Sequence, residues 1–365
     1  MEFTDCQRVR SIGDPFYCIF INLFMAKRIH SYDVLRGIVM FLVVLGHLFM
    51  FSFGSKPLPV FVKIFTAFHV PVFFFVAGMF FSIDKRQTVA DKSLFLLKKA
   101  IYLIVPTLFF YALYYYSHNL NPLAAISDGF GFYWFLPTLF MTMLVVWCIN
   151  LLCKPIKNNN IELLWVIVAI IISVLLGLKG VNLNNEHLGF LQFSHLFFFF
   201  PSFALGYLYR LRPNTVRGIL KNRAVVTLII MLGFISVGMT QMSDILSQGI
   251  ISLNYWMRIY LLTFVALACF FHYQSFFESE SITNRFLVVI GRYTLPIYVL
   301  HYFFMPDLTW LRDIMGDNST TLVLIILVVT AIAIIGLCLL FTKIISISDF
   351  LGHYLLGQKS EKYKI

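Results

Sequence analysis

Ten residues separate Arg36 from His47 within one apolar run, Asp33-Val-Leu-Arg36-Gly-Ile-Val-Met-Phe-Leu-Val-Val-Leu-Gly-His47. An α-helix turns about 100° per residue, so a step of eleven returns to nearly the same azimuth. The guanidinium and the imidazole therefore share one helix face, about 16 Å apart along the axis. Asp33, one turn before Arg36, lies close enough to that stripe to pair with it. A charge in hydrocarbon costs at least about 2.5 kcal/mol even on insertion scales, which makes such groups functional candidates. An imidazole here suits general-base chemistry, because its neutral form is cheap to hold where the dielectric is low. The plainer roles are snorkelling for Arg36, helix capping for Asp33 and an interhelical hydrogen bond for His47.

Further polar groups fall inside other apolar runs. His69 lies near the middle of the second run, Trp134 near the outer end of the fourth, and His195 and His301 toward the outer ends of the sixth and ninth. Lys98 and Lys99 open the third run, and Arg292 and Tyr298 lie in the ninth. The histidines show no HxxxH or HExxH spacing, so neither a metal nor a haem is predicted. The cysteines (Cys6, Cys18, Cys148, Cys153, Cys269, Cys338) are scattered without a CxxC pair and read as apolar packing residues.

The elements that must carry these groups follow from composition. Hydrophobic residues make up 60% of the chain and charged residues 12%, against about 25% charged in a soluble domain. The chain cannot coat a water-facing surface. Continuous apolar runs of spanning length occur at about 34–53, 60–82, 94–117, 132–153, 161–178, 191–210, 223–240, 256–273, 286–305 and 322–346. They do not alternate, which excludes a β-barrel. The fold class predicted is an all-α polytopic membrane bundle of about ten transmembrane helices. The net charge of +11 is spread in short runs between spans, as membrane topology demands, and does not point to nucleic acid. Lys85, Arg86, Lys92, Lys98, Lys99, Arg210, Arg212, Arg217, Lys221 and Arg223 fall on one side, with Lys56, Lys179, Arg258 and Arg312 on the other. That asymmetry predicts both termini inside. Phe16–Phe24 is too short to span and lacks a cleavage site. Residues 1–27 read as an N-terminal extension, with Met25 the natural start or 1–24 a mobile tail; 28–357 is the membrane domain and 358–365 a cytoplasmic tail.

The Asp33–His47 run resembles the opening motif of the acyltransferase-3 family of membrane O-acyltransferases. Later segments are similar in the same order: Phe68-His69-Val-Pro71 to Gly78, Phe95-Leu-Leu-Lys98-Lys99 to Pro106, Tyr133-Trp134-Phe135-Leu136, Pro201 to Tyr207, and Gly291 to His301. The resemblance covers residues 28–357. Lys98 and Lys99 stand where the family often has arginines, and Ala77 replaces a frequent serine. The resemblance implies a stand-alone, multi-pass enzyme of the plasma (inner) membrane. Such an enzyme moves an acyl group, usually acetyl, from coenzyme A to a hydroxyl of a cell-surface or exopolysaccharide sugar. Acetyl-CoA would be a co-substrate and no cofactor stays bound. His47 would be the general base, with Arg36 toward the donor. Lys98, Lys99 and Arg292 would bind the donor. Asp33, His69, Trp134, His195, Tyr298 and His301 would bind the acceptor or line the cavity. The competing expectation is a transporter or flippase for a glycolipid or small solute, against which no inverted repeat of broken helices is found.

Overall fold

The structure, a computed structural model, describes residues 30–53, 60–86, 88–124, 129–153, 159–178, 191, 193–239, 248–311 and 320–358. The predicted extension 1–27 and the tail beyond 358 lie outside these residues, as do Lys56, Lys179 and Arg312. Each described regular element is helical. Helix α1 (His30–His47) continues into a π-helical turn, Leu48–Ser52. Helices α2 (Val60–Phe80), α3 (Val89–Ser117), α4 (Phe135–Cys153), α5 (Asn159–Leu178) and α6 (Phe193–Leu211) follow. Helices α7 (Pro213–Lys221) and α8 (Arg223–Met239) meet at a bend of 62°. After α9 (Gln248–His272), helix α10 (Ile282–Arg292) meets α11 (Thr294–Leu300) at 68°, and a 3-10 turn (His301–Phe304) extends α11. Helices α12 (Thr320–Ile345) and α13 (Asp349–Leu356) complete the bundle.

Apolar runs this long form helices because lipid offers the backbone no hydrogen-bond partner, so each N–H must be satisfied within the segment. Among the described residues, seven helices are long and apolar enough to cross a bilayer alone, or up to nine if each bent pair is one span. The expected ten included the run at 191–210. That run forms α6, whose Ser194, His195, Ser202 and Arg210 leave it less apolar than its neighbours. Helix ends carry their own stops. Thr88 and Asp91 form a reciprocal capping box at the start of α3, and the Ser281 hydroxyl accepts from the Asn284 N–H at 3.1 Å to open α10.

Helix α1 is the central element. Some 61% of its spanning window is buried, against 11% for α5, which shows Leu164, Trp165, Ile171 and Leu175 outward. Two apolar cores flank α1. Met40, Val44 and Leu48 pack with Phe110, Tyr133 and Ile297 on one side, while Tyr32, Leu35 and Val39 pack with the Phe74, Phe75 and Phe203 group on the other. Two crossings bring backbones into contact through glycine. A Cβ on Gly37 would overlap the Leu287 carbonyl of α10, and one on Gly291 would overlap the Asp33 carbonyl of α1. Gly78 and Gly206 serve the α2–α6 crossing in the same way, against Phe203 and Phe75. Small residues are what allow helices without a water-driven force between them to pack closely.

A buried polar chain ties four helices together. Lys92 of α3 donates to Asn150 of α4, the Asn150 amide donates to Glu162 of α5 at 2.7 Å, and the Tyr207 hydroxyl of α6 donates to the same carboxylate at 2.6 Å. Lys92, grouped by sequence with the loop cations, is a structural member of this chain. The thiols of Cys148, Cys153, Cys269 and Cys338 are free.

Candidate active site

Arg36, Met40, Val43 and His47 form one stripe of α1, at steps of four, three and four residues, and all four line one cavity of about 170 Å³. The shared azimuth expected from the spacing is thus present. A second cavity, of about 650 Å³, also reaches His47 and is lined by Lys63, Thr66, His195 and Arg258 among others. His47, His69, Val70, Phe132, Trp134 and Tyr302 line both. The imidazole of His47 therefore stands where the two spaces meet. The helix widens into its π-turn directly after this residue, a feature frequent at functional sites.

The bend between α10 and α11 brings the remaining groups to α1. Helix α10 packs on the Asp33–Gly37 stretch. The turn at Tyr293 then redirects the chain, so that Thr294, Tyr298 and Tyr302 face the cavities and His301 reaches His47. The His301 ring nitrogen Nδ1 lies 2.9 Å from the Ile297 carbonyl oxygen, and its Nε2 lies 2.9 Å from Nδ1 of His47. A carbonyl only accepts, so His301 carries its proton on Nδ1 and offers Nε2 as an acceptor. His47 must then donate from Nδ1, which leaves the lone pair on its Nε2. This network assigns the tautomer. The Tyr302 hydroxyl lies 3.5 Å from that Nε2 and 3.3 Å from the Phe132 carbonyl. The orientation is that of a neutral base held by a second histidine. His69 is buried and similarly set: its Nδ1 donates to the Phe65 carbonyl at 2.8 Å.

The other predicted residues divide. Trp134 stacks on His195 (4.3 Å between centroids, 16° between planes) and on Phe199 (5.1 Å), which makes an aromatic wall in the larger cavity. The Tyr298 hydroxyl donates to the Phe132 carbonyl at 3.2 Å and accepts the Phe135 N–H at 3.3 Å, so it braces the start of α4 while its ring lines the smaller cavity. Asp33 is buried, 3.7 Å from Arg36 and 3.5 Å from Arg292, and is not among the residues that line either cavity. It sits inside the first turn of α1 as a bridge between two arginines, not at its cap. Arg292, Lys98 and Lys99 also stand outside the lining of both cavities. Lys99 lies over the Phe95 ring at 5.4 Å and within electrostatic reach of Arg36.

Sequence reasoning missed Tyr302, Phe132 and Lys63 as site residues, and counted Arg258 among the loop cations. Tyr302 is adjacent to the singled-out His301. Arg258 could have been found had α9 been started at Gln248, since that places the charge well inside the helix.

None of the described residues forms a cluster of His, Cys, Asp and Glu able to hold a metal ion. A family model described as an acyltransferase domain matches residues 29–343. No curated protein and no solved structure matches the chain.

Proposed function

The chain belongs to the acyltransferase-3 family of membrane acyltransferases, and from that premise we propose that it moves an acetyl group from coenzyme A to a sugar hydroxyl. The observation that carries this reading is the position of His47 where two cavities meet, one lined by Arg36, Met40 and Val43 before it and the other by Met50 and Phe51 after it. Donor and acceptor can then meet at one imidazole from opposite sides of the bilayer. The smaller cavity, at about 170 Å³, suits a thioester with a short acyl group; the bulky anionic part of coenzyme A stays at the Arg36 end. The positive-inside bias makes that end cytoplasmic and the termini inside, in a multi-pass protein of the cell membrane. The acceptor, a cell-surface sugar or its polysaccharide precursor, enters the larger cavity.

In this mechanism the acceptor oxygen attacks the thioester carbonyl carbon while His47 Nε2 takes the hydroxyl proton. The tetrahedral intermediate collapses and breaks the carbon–sulfur bond. The departing thiolate then takes the proton from His47, and the products are an acetylated sugar and free coenzyme A. The Tyr302 hydroxyl, beside Nε2, turns its proton from the Phe132 carbonyl to the oxyanion. Arg36 adds positive charge for the donor phosphates, backed by Lys98, Lys99 and Arg292. His47→Ala should reduce transfer of radiolabelled acetyl by about 10²–10⁴-fold while abundance and monodispersity in detergent stay unchanged. Normal transfer in that variant would end the base assignment. Loss of the acetyl mass increment from surface glycans in cells lacking the gene would identify the acceptor.

A further inference from the structure

The larger cavity carries two cations that the reaction above does not use. Lys63 lies one turn into α2, and Arg258 lies in α9 about 15 Å from its first residue. Neither Asp nor Glu occurs among the described residues that line this cavity. Arg258 is half-buried over the Tyr255 ring, 5.4 Å from its centre, and its Nε is buried with no hydrogen-bond acceptor. A guanidinium so far from a helix end is costly on any insertion scale and is expected to face a wet cavity and meet a partner there. The same cavity carries the Trp134–His195 stack, a flat surface suited to a sugar ring.

We propose that this cavity binds an acceptor sugar that bears an anionic group, a carboxylate or a phosphate. Arg258 grips the anion and Lys63 adds charge at the mouth. A guanidinium presents two parallel N–H donors to either anion, a stronger arrangement than a neutral pair. The word acceptor rests on the acyltransferase reading; the anion site itself does not. The experiment titrates the purified protein in neutral detergent, without acyl donor, against glucose, glucuronate and glucose 1-phosphate, and reads tryptophan fluorescence. At least one anionic sugar should bind about tenfold or more tighter than glucose. Arg258→Gln and Lys63→Gln should each erode that preference, and Arg258→Lys should keep part of it. A preference for glucuronate assigns a carboxylate, and one for glucose 1-phosphate a phosphate. Equal binding of glucose, or a preference unchanged in both glutamine variants, overturns the proposal. So does abolition of the preference by phosphatidylglycerol but not phosphatidylcholine, which would mark a lipid-headgroup site. Where Arg258→Gln lowers the melting temperature of the free protein, Lys63→Gln at the mouth decides. A failed preference leaves the transferase reading intact, whereas a sound preference in a protein that transfers no acetyl group faults that reading alone.

Discussion

At the scale of the residue, the site turns on which nitrogen of His47 keeps its lone pair. The Ile297 carbonyl holds the His301 proton on Nδ1, and His301 in turn orients His47. In the proposed reaction His301 is thus a positioning residue. His301→Ala should lower kcat by about tenfold to a hundredfold, short of the loss expected for a missing base, with KM for the acyl donor unchanged. His301→Gln, whose side-chain carbonyl can still accept from His47, should recover most of that loss. Equal damage from both variants would mark His301 as packing alone. Arg36 is tested more finely by Arg36→Lys: charge is kept but the planar fork is lost. Donor KM should rise several-fold, and an unchanged KM would assign Arg36 to its ion pair with Asp33 only.

At the scale of the element, function depends on how closely α10 and α6 approach their partners. The Gly291 and Gly206 positions leave no room for a methyl group, whereas a Cβ at Gly336 on α12 meets nothing within 4 Å. Gly291→Ala should therefore cost about 1–3 kcal/mol, as overpacking does, and lower the detergent melting temperature. Because Gly291 meets the Asp33 carbonyl, the same change should also displace α11 and reduce kcat. Gly336→Ala should leave both unchanged. Thermal melts and single-point assays on the two variants separate the cases. The Lys92–Asn150–Glu162–Tyr207 chain binds α3 to α6 away from the cavities. Glu162→Ala should therefore destabilise the fold, since it removes the acceptor of the Asn150 amide and the Tyr207 hydroxyl, with little effect on donor affinity in the protein that remains folded.

At the scale of the whole molecule, the two cavities meeting at His47 predict opposite access. Thr66 lines the larger cavity and Thr294 the smaller. After removal of the native cysteines, Thr66→Cys should react with a membrane-impermeant thiol reagent from outside only, and Thr294→Cys from the cytoplasmic side only. Labelling of both from one face would dismantle the two-sided arrangement and the inside placement of the termini together.

Much of this was readable from residue types alone. Continuous apolar runs dictate helices, because lipid leaves the backbone no other partner, and an eleven-residue step dictates a shared face. The stripe from Arg36 to His47 is local geometry, so the sequence by itself determined it, along with the family resemblance. The His47–His301 contact joins residues 254 positions apart, and no helical period reaches that far. The bend after Arg292, the removal of Asp33 from the cavity to bridge two arginines, and the recruitment of Lys63 and Arg258 all arise where separate helices pack. Helix-to-helix distance is set by which glycines face each other across a crossing, and only the tertiary structure decided that.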